Sequence, residues 1–130
     1  MDTPKKQDYA STLKGKHGIK RLINAIGYSR DGIKAAFEEA GFRELLLLHA
    51  VLLIILCFVH FSLPVKMILV MASFMSLIVE LFNTGIEASV DHTSLERHPL
   101  AKRAKDVGSA AQYTSLTMIA VLWIMAATLG

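Results

Sequence analysis

The sequence predicts an all-α membrane protein in which three transmembrane helices follow an N-terminal amphipathic surface helix. Three observations carry that expectation. Hydrophobic residues make up 53% of the 130, and mean hydropathy is +0.45, whereas a typical soluble domain is ~45–50% apolar even with glycine counted. Three mainly apolar stretches, 45–63, 65–90 and 107–129, come close to or exceed the ~20 residues that cross the hydrocarbon. Ahead of them, apolar residues recur at helical spacing.

Residues 1–17 carry Lys5, Lys6, Lys14 and Lys16 with no apolar periodicity and read as a mobile tail. No apolar core of a signal peptide lies near the start, so the N-terminus is expected inside the cell. From Gly18, the residues Ile19, Leu22, Ile23 and Ile26 predict a short amphipathic helix that Gly27 stops. A second follows, with Ser29 or Asp31 as N-cap and Ile33, Ala36, Phe37 and Ala40 on one face. Both, within 18–42, suit the membrane surface.

The first span, 45–63, is apolar but for His49, His60 and Ser62. The two histidines are expected at an interface or between helices. Cys57 has no second cysteine to pair with and is expected to pack. A tight turn at Ser62 and Leu63 leads to Pro64, expected at the first position of the second helix. A charged loop from His92 to Asp106 precedes the charge-free third span, and Trp123 lies near its far end, where aromatic belts sit. The chain reads as one domain, 1–130.

Basic residues concentrate before the first span and between the second and third. The positive-inside rule then puts the N-terminus and the His92–Asp106 loop of a multi-pass membrane protein in the cytoplasm, and the Pro64 turn and the C-terminus outside. The formal charge of +3 suits anionic headgroups better than nucleic acid, because the basic residues are not interleaved with stacking aromatics.

Acids are least expected at the end of the second span, yet Glu80, Asn83, Glu87 and Asp91 fall there in steps of three, four and four. At ~100° per residue they occupy about one quarter of the helix circumference. A carboxylate deep in a bilayer costs on the order of 2.5 kcal/mol or more. Three explanations fit: a carboxylate-held metal, a proton relay, or a helix end whose acids reach water. At the same boundary lie Glu39, Lys105, Asp106 and Ser109, an oxygen-rich set that suits Mg²⁺ completed by phosphate oxygens. Lys105 would neutralise phosphate charge. Lys105 and Asp106 point ~100° apart, so they flank a ligand or pair with different neighbours. Gln112 and Ser115 extend the polar line or pack helix on helix. Neither a Walker A sequence, nor Gly-x-Gly-x-x-Gly, nor a nucleophilic triad is present. Three spans cannot screen such acids from lipid alone, so a homo-oligomer is expected.

The run from Glu80 through Asn83, Gly85, Glu87 and Asp91, with Glu96, His98 and Ala104-Lys105-Asp106-Val107-Gly108-Ser109, resembles the signature of the prokaryotic diacylglycerol kinase family. Ala25-Ile26-Gly27-Tyr28-Ser29 and Phe42-Arg43-Glu44 fit as well, so the resemblance covers about 18–129. It implies an integral membrane lipid kinase, a homotrimeric helix bundle with active sites shared between chains, using MgATP to convert diacylglycerol to phosphatidic acid. By the same resemblance Glu80 is the general base, Glu39 and Glu87 hold metal, and Asn83 and Asp91 support them. Arg21, Tyr28, Glu39, Glu87, Glu96, Arg97, His98, Lys105 and Asp106 are implied to surround ATP. Lipid contacts are implied for Arg21, Ala25, Ile26, Gly27, Tyr28, Ser29, Arg30, Lys34, Ala35, Ala36 and Phe37. They continue through Gly41, Phe42, Arg43, Glu44 and Leu45 to Glu80, Ser109 and Trp123. Arg30 and Phe37 stand where relatives often carry tryptophan, and Arg97 where an aromatic is familiar. The competing expectations are an undecaprenol kinase of similar layout, a small oligomeric proton-coupled exporter, and a noncatalytic assembly subunit.

Overall fold

A computed structural model describes residues 18–93 and 97–129, and every element among them is helical. They are α1, Gly18–Phe37; α2, Ala40–Phe58; α3, Leu63–Thr93; and α4, Pro99–Leu129. The chain divides after Ala35 into two units.

In the first unit, the two short surface helices expected from the sequence are one. Gly27 lies inside α1 and does not stop it; a glycine interior to a helix costs only about 1 kcal/mol relative to alanine, and the apolar periodicity runs through. Nor does Ser29 act as a cap: its hydroxyl donates back to the Ala25 carbonyl at 2.9 Å. Asp31 is likewise interior and lies 3.8 Å from Arg30 Nε. Gly18, at φ +65°, takes a left-handed conformation that favours glycine. Ile19, Leu22, Ile23 and Ile26 are all exposed.

In the second unit, α2, α3 and α4 are each long and apolar enough to cross a membrane. Their bounds differ from those expected. α2 starts at Ala40 and ends at Phe58, where Val59 turns extended (φ −78°, ψ 146°). Pro64 is the second residue of α3, where its missing N–H leaves no helical bond unmade. The charged loop is much shorter than 92–106. The second span continues to Thr93, and α4 opens at Pro99, a favoured first residue. His98 caps it, its Nδ1 accepting the Leu100 N–H at 3.1 Å.

α3 packs mainly on α4 and, over a shorter stretch, on α2. Toward one end the interior is apolar: Leu56, Leu69 and Ala126 are buried, with Phe61 and Trp123 edge-to-face at 6.1 Å beside them. Further along it is polar. His49 is 1% exposed and its Nδ1 lies 3.1 Å from Ser73 Oγ; Gln112 Nε2 donates to Ser76 Oγ at 3.3 Å. Ser115 donates to the Gln112 carbonyl and to its Oε1. Small and polar groups draw helices together where lipid removes any hydrophobic preference for packing, which is the packing role weighed for Gln112 and Ser115. His49 accordingly lies between helices, whereas His60 is exposed. His49 Nε2 is buried without a hydrogen-bond partner among the described residues. Ser73→Ala would strand the second ring nitrogen too, and is expected to cost about 1–2 kcal/mol of stability, read from unfolding midpoints in detergent.

Cys57 does not pack inside the chain. It is exposed, with its Sγ 3.3 Å from the Leu53 carbonyl. The outward faces also carry Leu47, Phe74, Phe82 and Ile124, all well exposed, a surface suited to lipid or to further subunits.

Candidate active site

Because α3 stays helical through Thr93, the acid spacing in the sequence becomes a stripe in space. Glu80 is half-buried and faces the start of α2, where a Cβ on Gly41 would lie 3.6 Å from Glu80 Oε1. A methyl there would make ordinary van der Waals contact, so the distance marks how near α2 lies to this carboxylate without requiring glycine. Glu39 and Glu87 both lie within electrostatic range of Glu80. Glu39 is the N-cap residue of α2, in extended conformation (φ −85°, ψ 126°), yet its side chain makes no capping bond, so its carboxylate is free for another partner. Arg43 Nη1, one turn on, donates to the Phe37 carbonyl at 2.6 Å and fixes the turn that presents Glu39.

The charged end of α4 meets the lower stripe. Lys105 Nζ lies 2.6 Å from Asp91 Oδ1, and Lys102 Nζ lies 2.6 Å from Asp106 Oδ2. Adjacent Lys105 and Asp106 thus serve different neighbours, as their divergent directions require. The hydrogen bond to Asp91, assisted by the negative charges of Asp91 and Glu87, raises the Lys105 pKa above that of a free lysine. It is an ammonium at neutral pH, set beside the Asp91 and Glu87 carboxylates.

Asn83 sits between these groups. Its Oδ1 is buried without a hydrogen-bond partner among the described residues, and a Cβ at Gly108 would fall onto that oxygen. Only glycine on α4 lets the carboxamide occupy this place. Gly108 lies within the family-like signature, with no task expected of it. A glycine inside a helix, where it costs about 1 kcal/mol, is the signal that could have found it.

Glu80 and Asn83 open onto a cleft of about 360 Å³ whose walls include Gly41, Glu44 and Leu45 of α2 and Ser109 of α4, all lipid contacts expected above. Gln112 lines it as well, and Leu48, Tyr113 and Leu116, none of them expected here, complete it. Ordinary apolar-face residues of a span carry no sequence mark of a cleft.

Other expected residues are not gathered here. Arg97 and His98 line a separate cavity of about 440 Å³ with Ser89, Val90 and Thr93, which lie off the acid stripe. Asp106 lines a third, with Lys102 and Arg103. Trp123 packs on Phe61, and at 1.5 Å per residue it is about 21 Å along α4 from Ser109. Phe42 is buried edge-to-face against Phe37 at 5.4 Å. Arg21, Tyr28, Ala25, Ile26, Ser29, Arg30, Lys34 and Ala35 belong to the first unit, and Glu96 lies outside the described residues. Among the described residues no three metal-type side chains converge; Glu39 and Glu87 fit instead the one or two carboxylates that Mg²⁺ takes when phosphate oxygens and water supply the rest.

The fold and site define a class: an all-helical membrane protein with an acid and ammonium cluster at the mouth of an apolar cleft. The sequence profile of the family described as prokaryotic diacylglycerol kinase matches residues 27–127. A protein named diacylglycerol kinase from Pseudomonas aeruginosa is 50% identical over 114 residues, covering 87% of this chain and 93% of that one. Proteins of the same name from Helicobacter pylori and Escherichia coli K12 are 40% and 36% identical over 107 residues, covering 82% of this chain and 84% and 88% of theirs. The chain belongs to the prokaryotic diacylglycerol kinase family. It is therefore a kinase, a phosphotransferase enzyme.

Proposed function

We propose that this protein transfers the γ-phosphoryl group of ATP to the primary hydroxyl of diacylglycerol, giving phosphatidic acid. The observation that carries the reading is the half-buried Glu80 at the mouth of an apolar cleft, with Glu39 and Glu87 in electrostatic range and Lys105 on the same side of α3. A diacylglycerol holds its hydroxyl at the headgroup boundary and its chains in the bilayer, so its kinase must bring charge to that depth and keep the adjoining wall apolar. Phosphoryl transfer needs mainly alignment and charge neutralisation.

Glu80 takes the proton of the lipid hydroxyl as the bond to phosphorus forms. Asn83, wedged against Gly108, holds position beside it. Glu39 and Glu87 would hold Mg²⁺, which when bound screens the triphosphate oxygens. Lys105, held by Asp91, offers its charge to the same oxygens. Arg21, Tyr28, Glu96, Arg97 and His98 are assigned to the nucleotide, and 25–30 and 34–37 to the lipid, by family resemblance. Arg97 and His98 lie off the Glu80 cleft within one chain, which fits sites completed by a neighbouring chain in the homotrimer that the family resemblance implies. The basic loops support an inner-membrane protein with its site in the cytoplasm.

The test is transfer from γ-labelled ATP with Mg²⁺ to diacylglycerol in mixed micelles of the purified protein. Labelled phosphatidic acid is expected, and absence of label on any lipid alcohol overturns the reading.

A further inference from the structure

The cleft at Glu80 continues into the bilayer, and its deeper wall carries one polar group with nothing to do. Tyr113 lines the cleft, is 70% exposed, and its hydroxyl makes no hydrogen bond among the described residues. Gln112, the neighbouring polar side chain on that wall, already has a partner at each polar atom: Nε2 donates to Ser76 and Oε1 accepts from Ser115. Leu48 and Leu116 offer no polar atom. Tyr113 follows Ser109 by one helical turn, about 6 Å deeper along α4. A phenol in apolar surroundings gains by finding an acceptor, because a polar group left unpaired there is costly.

We propose that Tyr113 donates a hydrogen bond to an ester carbonyl of the lipid substrate and so selects acyl glycerides over alcohols without esters. The inference rests on the kinase reading above. When the free hydroxyl of a diacylglycerol meets Glu80, its ester groups follow on the adjoining glycerol carbons, toward the bilayer, which is the direction in which Tyr113 succeeds Ser109. A dialkylglycerol carries the same hydroxyl and chains but a methylene where each ester has its carbonyl, leaving as acceptor only the ether oxygen bonded to the glycerol carbon, and a long polyprenol carries neither. The first would meet Glu80 and offer the phenol a more crowded acceptor, the second none.

The test compares kcat and KM for 1,2-diacylglycerol and for 1,2-dialkylglycerol of equal chain length, with MgATP, in wild type and Tyr113→Phe. One neutral hydrogen bond corresponds to about a fivefold change. Wild type is expected to show a KM about fivefold lower for the diacyl than for the dialkyl lipid. Tyr113→Phe is expected to raise the diacyl KM to the dialkyl value, leaving the dialkyl KM and both kcat values within twofold. If the substitution shifts both KM values together, or neither, Tyr113 is an ordinary interfacial aromatic and the proposal is overturned. Should wild type phosphorylate neither glycerolipid, the kinase reading itself fails, an outcome distinct from a kinase blind to the ester.

Discussion

Glu80→Gln is expected to lower the rate of lipid phosphorylation by roughly 10²–10⁴-fold, the usual contribution of a positioned general base. Glutamine keeps the size and the place beside Gly41 but cannot take the hydroxyl proton. Nucleotide affinity should change little, or improve, because Glu39 and Glu87 lose a like charge within range. Steady-state kinetics beside equilibrium binding of a fluorescent ATP analogue separate the two. A fall in kcat with binding kept identifies Glu80 with proton transfer, whereas loss of binding alone moves it into the metal set.

Gly108→Ala is expected to have the second largest effect. The added methyl would occupy the place of Asn83 Oδ1 and come 3.9 Å from Ile86 Cδ1, so the carboxamide, the far end of a flexible side chain, must swing out of its seat. That shift costs about 1 kcal/mol or less in stability, but because Asn83 lines the cleft with Glu80, activity should fall by about tenfold. The double variant Asn83→Ala with Gly108→Ala tests the cause. If the clash is with Asn83, alanine at 108 lowers the activity of wild type but adds little once Asn83 is shortened. An equal loss in both backgrounds assigns the effect elsewhere.

Much of this architecture was legible in the residues, and the reasons differ by element. The three spans follow from apolar length, and the acid stripe from spacing alone, since a helix converts steps of three and four into one face. Lys105 and Asp106 were foreseen to diverge and do so, toward Asp91 and Lys102. Helix ends were read less well. Gly27 and Ser29 carry the local marks of a stop and a start, yet α1 runs through both, because periodic apolar residues on either side outweigh a cost of about 1 kcal/mol. A run of charge from His92 to Asp106 suits an exposed helix end as well as a loop, and Pro99 with the His98 cap starts a helix there. Gly108, Tyr113 and the Glu80 cleft depend on how α2, α3 and α4 pack, which no single helical pattern contains.

The central claim is that the lipid hydroxyl enters the cleft between Glu80 and Ser109. A diacylglycerol carrying a diazirine close to its glycerol, photoactivated on the purified protein with a nonhydrolysable ATP analogue and Mg²⁺, tests it most directly. The account predicts label on the peptides spanning 41–48 and 109–116, removed by excess unlabelled diacylglycerol. Competable label confined to other segments, with those two peptides clean, would contradict it.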